Sequence, residues 1–348
     1  MARVPVVRFD SWVDPVFDQT LRGEPGIALS VQVMPADAAA ARAALCEARV
    51  FHVSAAKDEL PAHCHVSEAL LAECPALLCV SSYGAGYDPI DVAACTRAGI
   101  AVVNQSGGNA VSVAEHTLGL ILAVTHRIAE SDRRLRTERG FSRESLTGTE
   151  IAGKTLGLVG IGHIGRRVAA LGAAFGMRVL ASDPLLTDAE IVARGAQAVP
   201  LDTLLAQADI VSLHCPRDAR TLRLIDAAAI ARMKRGAVFI STARGGIHDE
   251  QALAQALAEG RLAGAGLDVW DREPPPLDHP LLALPTVVAT YHTAGVTHEA
   301  RRNMARISAE QIIAVLAGQR PPRLVNPEVW PAYAARFAAA FGRRPGPD

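Results

Sequence analysis

The chain has 348 residues, of which 50% are hydrophobic and 20% charged, and its formal net charge is −1. A single core seldom grows far beyond ~250 residues, so this length suits two domains. A near-neutral chain offers no long-range field to draw in nucleic acid or anionic lipid, and no uninterrupted apolar stretch reaches the ~20 residues of a membrane span.

The first residues, MARVPVVRFDSW, lack a signal-peptide core and a cleavage site, which makes the cytoplasm the expected compartment. Short β-type runs then alternate with Ala-rich helical ones. The strands are expected at 4–9, 27–33, 50–53, 77–82 and 101–104, with helices such as 36–48, 67–73 and 90–98 between them. That alternation argues for parallel βαβ units and a first α/β domain. Cys46, Cys64, Cys74, Cys79, Cys95 and Cys215 show no C-x-x-C spacing and read as reduced and mostly buried. His63-Cys64-His65 with Cys74 invites a metal reading. Neighbours on an extended chain point to opposite faces, however, and no second pair at zinc spacing follows, so no metal is expected. The turn Ser82-Tyr83-Gly84-Ala85-Gly86-Tyr87-Asp88 follows a strand. Taken alone it is either a tight turn needing positive φ or a set of backbone N–H groups open to a small anion.

Ser106-Gly107-Gly108-Asn109 reads as a hinge, and from Ser112 to about Arg139 one long helix is expected. Its first half is apolar nearly all round, which implies burial. Ser112 with Glu115 three residues on forms a capping-box pattern at its start.

Lys154–Asp183 is the most informative stretch. An apolar strand (155–159) runs into Gly160, Gly162 and Gly165 in a G-x-G-x-x-G pattern, followed by a helix (166–175) and a second strand (177–181). Gly160 permits the tight turn, Gly162 lets the backbone approach a pyrophosphate, and Gly165 lets the helix pack close to the sheet. The N–H groups and positive dipole end of that helix face the phosphate charge. Asp183 can accept bonds from both adenosine ribose hydroxyls and would repel a 2′-phosphate, which points to NAD over NADP.

Strands at 197–199, 209–214, 237–242, 265–270 and 287–290 then alternate with helices at 201–207, 227–233 and 250–259. This is a second doubly wound parallel sheet, and such sheets bind ligands at the carboxyl ends of their strands. Three polar groups sit there: Arg244 in STARGG, Glu273 in DVWDREP and His292 in ATYHTAG. A last amphipathic helix at 299–317 returns to the first domain. The tail 342–348, rich in Arg, Pro and Gly, is expected to fray.

In GAGYDPID, AGIAVVN, SVAEHTLGLILA, GIGHIG with Asp183, ADIVSLHCP, MKRGAVFISTARGGIHDEQAL, GLDVWDREPP, HPLL and HTAG, the chain resembles the D-isomer-specific 2-hydroxyacid dehydrogenases. The resemblance implies a flavodoxin-like substrate domain (1–107 with 299–348) and a Rossmann NAD-binding domain (108–298). It implies a homodimer built on the latter, in a short form with no regulatory domain after residue 330. It assigns His292 as acid/base, Glu273 as its partner, and Arg244 to the substrate carboxylate, all three catalytic. The substrate would be a small 2-hydroxy or 2-keto acid, also contacted at Tyr83, Gly84 and Ala85. Around NAD it implies contacts from Gly160, Gly162, His163, Ile164, Gly165, Asp183, Cys215, Pro216, Thr242, Ala243, Arg244, Asp268, His292 and Gly295, with Asp268 beside the nicotinamide carboxamide. The chain departs from the family at His163 (often Arg), Tyr291 (often Pro) and Thr293 (usually aliphatic). Ser82-Tyr83 replaces the Arg-Ala typical of phosphoglycerate dehydrogenases, which disfavours phosphoglycerate, and Glu273 replaces the amide of formate dehydrogenases. A second class on the same fold resembles NAD(H)-sensing corepressors, which keep the same triad. Turnover of 2-keto acids separates the two.

Overall fold

A computed structural model describes residues 3–346. The chain divides into two compact units, Met1–Asn109 with Thr297–Asp348, and Ala110–Val296.

In the first unit, β1 (Val4–Phe9), β2 (Ile27–Gln32), β3 (Val50–Val53), β4 (Cys79–Ser82) and β5 (Ala101–Val103) alternate with α1 (Val16–Gly23), α2 (Ala38–Leu45), α3 (Glu68–Glu73) and α4 (Val92–Arg97). The strands are all parallel in the order β2-β1-β3-β4-β5, the flavodoxin-like arrangement. β3 and β4 are buried at every residue, as central strands covered on both faces must be. Asp37, Ser67 and Asp91 start α2, α3 and α4 by accepting the N–H three residues on.

The second unit opens on α5 (Ala110–Thr125) and α6 (Ile128–Thr137). The single helix expected from Ser112 to about Arg139 is therefore corrected. Ser112 lies buried inside the first turn rather than capping it. The break has a tertiary cause. The Thr125 carbonyl accepts the Thr149 N–H at 2.8 Å. Arg127 turns into the left-handed region (φ 54°), and its guanidinium binds Glu130 at 2.8 and 2.9 Å and the Ser145 carbonyl at 2.6 Å.

β6 (Thr155–Val159), α7 (Gly165–Ala174), β7 (Arg178–Ser182), α8 (Asp188–Ala193), β8 (Gln197–Ala198), α9 (Leu201–Gln207) and β9 (Ile210–Leu213) follow. Then come α10 (Ala227–Arg232), β10 (Val238–Ser241), α11 (Glu250–Ala258), β11 (Gly264–Leu267) and β12 (Val287–Ala289). The sheet order is β12-β11-β10-β9-β6-β7-β8, all parallel, a Rossmann arrangement with its switch point between β6 and β9. α5 lies close over this sheet because β11 carries Gly266, where a Cβ would stand 2.9 Å from Leu120 Cβ.

α12 (His298–Ala317) and α13 (Trp330–Phe341) belong to the first unit, where Ala305, Ile312, Val315, Tyr333 and Phe337 join the core with Val6 and Phe17. Over 343–346 the tail, expected to fray, makes contacts within its own unit. The Gly346 N–H bonds the Gly318 carbonyl at 2.9 Å, and the Arg343 guanidinium lies 5.0 Å over Phe337. Residues 347 and 348 lie outside the described residues. Among the described residues no helix is long and apolar enough to cross a membrane.

Candidate active site

The loops after β10, β11 and β12 bring the polar residues together. His292 follows β12 with φ 47°, a left-handed conformation that non-glycine residues seldom hold unless their surroundings fix it. The fixing group is Asp268, fully buried after β11. Its carbonyl accepts the His292 N–H at 2.7 Å. Its carboxylate accepts the Thr293 N–H at 2.8 Å, the Ala294 N–H at 2.9 Å and the Thr290 hydroxyl at 2.6 Å. The carboxylate thus organises the histidine turn itself, with half-buried Gly295 one residue further on.

His292 Nδ1 meets Glu273 Oε2 at 2.8 Å, while Glu273 Oε1 accepts the Trp270 N–H at 3.0 Å. Burial opposes ionisation of Glu273. The hydrogen bond and charge of His292, the Trp270 N–H and the charge of Arg244 outweigh it and hold the carboxyl below its ordinary range. Glu273 is therefore held ionised, and Arg244 lies close enough to act on it.

Arg244 follows β10, and its guanidinium donates to the Ala243 carbonyl at 2.8 Å. Thr242 and Ala243 are buried. The Thr242 hydroxyl meets Thr117 Oγ1 of α5 at 3.0 Å, and Thr117 donates to the Val113 carbonyl at 2.7 Å. Because the one Thr117 proton goes to that carbonyl, Thr242 is the donor of the pair.

At the switch point each glycine has a distinct task. Gly160 has φ 89°. A Cβ on Gly165 would stand 2.4 Å from the Gly160 carbonyl oxygen, so α7 could not otherwise reach the strand. Around Gly162 no heavy atom lies within 4 Å of a Cβ position, which leaves room for a ligand backbone approach. The N–H groups of Gly162 and Ile164 have no partner among the described residues. Asp183 follows β7 and accepts the Ile161 N–H at 3.0 Å and the Leu185 N–H at 3.1 Å, tying its carboxylate to the glycine loop. The His163 side chain is exposed. Cys215 and Pro216 pass beside the loop, the Cys215 nitrogen 2.9 Å from where a Gly160 Cβ would be. Burial pushes the Cys215 thiol up to about 11 and the imidazole of His214 down to about 3. Neither carries charge near neutrality. Open donors at a helix start, a glycine cradle and a carboxylate at the next strand end fit a dinucleotide.

Tyr83, Gly84 and Ala85 lie in the first unit, at the carboxyl end of β4. Neither Gly84 nor Gly86 has positive φ, so the turn is not the strained kind. Its carbonyls are tied down. Gly84 O accepts the Gln105 N–H at 2.8 Å, Ala85 O the Asn104 amide at 2.8 Å, and Gly86 O the Ser82 hydroxyl at 2.5 Å. The N–H groups of Gly84 and Ala85 have no partner among the described residues.

His63 and His65 spend their Nε2 atoms on the carbonyls of Pro35 (3.0 Å) and Leu60 (3.1 Å). Among the described residues no group of three or more His, Cys, Asp or Glu could hold a metal ion. Sequence reasoning passes over His116 and Thr117 of α5, although a His-Thr pair inside the apolar run SVAEHTLGLILA is itself a signal.

Residues 118–294 match the family described as D-isomer specific 2-hydroxyacid dehydrogenase, NAD binding domain. A glyoxylate reductase of Thermofilum pendens is 44% identical over 259 residues, 73% of this chain and 76% of that protein. A D-3-phosphoglycerate dehydrogenase of Mycobacterium leprae is 44% identical over 261 residues, 75% of this chain but 49% of that longer protein. The crystal structure of a glyoxylate reductase from Paecilomyes thermophila superposes with a TM-score of 0.84 at 27% identity, covering 94% of this chain and 99% of its own.

Proposed function

Because the chain belongs to the D-isomer-specific 2-hydroxyacid dehydrogenase family, we propose that it reduces a small 2-keto acid of the glyoxylate or hydroxypyruvate type to the D-2-hydroxy acid. The cofactor is NAD, whose reduced form supplies the hydride when bound. The observation that carries the reading is the His292–Glu273 pair at 2.8 Å, presented by a left-handed turn.

With Nδ1 committed to Glu273, Nε2 is the ring nitrogen left to deliver a proton to the substrate oxygen. The Glu273 carboxylate fixes the orientation of the ring that does so. Arg244 offers a planar fork for the carboxylate and draws electron density from the adjoining carbonyl. Reduction consumes one hydride and one proton, and His292 recovers its proton from solvent. The glycine loop, Asp183, Cys215, Pro216, Thr242, Ala243, Asp268 and Gly295 are the proposed NAD contacts. In the first unit, the open N–H groups of Gly84 and Ala85 beside Tyr83 are proposed to receive an anion. We take the protein as cytoplasmic and homodimeric. Ile128 and Leu135, one heptad apart on α6 and 55% and 64% exposed, support the second point.

NADH oxidation with a panel of glyoxylate, hydroxypyruvate, pyruvate and phosphohydroxypyruvate, with chiral analysis of the product, tests the reading. Turnover to D-products is expected, strongest with the unphosphorylated acids. Tight NADH binding with no keto acid consumed would instead mark a nucleotide-sensing protein. Light scattering at the mass of one chain would remove the dimer.

A further inference from the structure

α5 supplies none of the proposed contacts, yet His116 on it reaches the turn that presents His292. Its Nε2 lies 3.1 Å from Thr290 Oγ1 and 3.7 Å from Asp268 Oδ1. Valence fixes the direction of each proton. Thr290 Oγ1 is 2.6 Å from Asp268 Oδ1, an oxygen that already accepts the Thr293 N–H, so the hydroxyl proton points to the carboxylate. The Thr290 oxygen is then left to accept, and His116 must carry its proton on Nε2. The line runs from His116 through Thr290 to Asp268, and from Asp268 to the N–H groups of His292, Thr293 and Ala294.

We propose that His116 is a positioning residue: by donating to Thr290 it orients the hydroxyl and the Asp268 carboxylate that hold His292 in its left-handed turn. The proposal rests on His292 being the proton donor. A side chain that merely filled space between α5 and the sheet would have no reason to place a donor at that one oxygen. His116 is also partly exposed, with 25% of its side chain open, so filling the core does not explain it.

Three variants test this: His116→Leu, which removes the donor, His116→Gln, which keeps an N–H at similar reach, and Thr290→Val, which deletes the relay oxygen with little change of shape. Amide exchange of the peptide spanning 288–296, measured on the protein without cofactor or substrate, should be roughly tenfold or more faster in His116→Leu and Thr290→Val. In both, kcat for keto-acid reduction should fall by about 10- to 100-fold, the size expected when a reacting group is misplaced, and NADH affinity should fall by less than kcat, because the glycine loop and Asp183 are untouched while Asp268 is only one of the proposed NAD contacts. His116→Gln should return exchange and kcat to within about threefold of wild type. Wild-type exchange or wild-type kcat in His116→Leu overturns the proposal, as does a Gln variant that falls as far as the Leu variant. Absence of turnover by the wild type would be a failure of the dehydrogenase reading, which the exchange measurement does not depend on.

Discussion

After β6 the chain turns through Gly160 at φ 89°, and a Cβ on Gly165 would stand 2.4 Å from a backbone oxygen. After β4, Gly84 and Gly86 keep ordinary φ, and the turn is shaped by Asn104, Gln105 and Ser82 binding its three carbonyls. Both turns end with N–H groups that lack partners, at the carboxyl ends of central strands. The difference lies in what holds them. The first depends on missing side chains within six residues of sequence, and the second on Ser82 at the end of its own strand and on Asn104 and Gln105 beside the neighbouring strand, about twenty residues away. A glycine motif is visible in a sequence only when backbone proximity demands it.

The largest expected effect lies wholly in the second unit. His292→Ala should lower kcat for keto-acid reduction by roughly 10²–10⁴ while leaving NADH affinity nearly unchanged, because the glycine loop and Asp183 are elsewhere. A variant that keeps most of its kcat would remove His292 from the mechanism.

The comparison of turns is broken or sharpened by one methyl group in each. Gly165→Ala forces apart two backbone segments, at a cost of about 1–3 kcal/mol, and should weaken NADH binding by roughly tenfold or more. The methyl of Gly84→Ala would stand 2.7 Å from the Ala55 Cβ and 3.9 Å from the Gly86 nitrogen. It should raise KM for the keto acid and leave NADH affinity alone. Equal losses of NADH affinity in both would show that the two turns do not have separate ligands.

Glu273→Gln should act through pH rather than through the maximum rate. A neutral partner removes the charge that faces the ring, so the pH–rate profile of reduction should differ from that of the wild type. The sign for stability is separate. Ionisation of Glu273 is favoured in the fold, so its contribution is present above the ordinary Glu range and lost as pH falls through the lowered value. The Gln variant should lose less stability across that acidic window. Coincident pH–rate profiles for variant and wild type would contradict the pairing.

Each of the twelve strands of the described residues overlaps a run expected from the sequence, although β8 and β11 carry no β-branched residue, and the alternation with helices carries the fold class. The short helices are less legible. α1, eight residues long after Pro15, and α8, which opens on the capping box of Thr187 with Glu190, are not among the helices expected from the sequence. The break between α5 and α6 is hidden because its cause, the Thr149 N–H, lies far along the chain. Arg244, Glu273 and His292 stand out as polar residues placed just after strands. The left-handed turn at His292, the clamp from Asp268 and the reach of His116 are not legible, since they depend on loops after different strands meeting α5.

The smallest effect tests how the β4 turn is held. The Asn104 amide donates to the Ala85 carbonyl at 2.8 Å, and its carbonyl accepts the Ser106 N–H at 3.2 Å, so one side chain links the turn to the segment after β5. Asn104→Ala deletes that link but leaves the Gln105 N–H on Gly84 and the Ser82 hydroxyl on Gly86. One neutral hydrogen bond contributes about 0.5–1.5 kcal/mol, which corresponds to a two- to tenfold rise in keto-acid KM if the freed carbonyl lets the Ala85 peptide rotate. Asn104→Asp keeps the acceptor for Ser106 and cannot donate to Ala85, so it should rise at least as far, with added repulsion toward an anionic substrate. NADH affinity should not move in either variant. A rise with Ala but none with Asp would mean that the Ser106 contact, not the grip on the Ala85 carbonyl, orders the turn, and the contrast with the glycine loop would then rest on Gln105 and Ser82 alone.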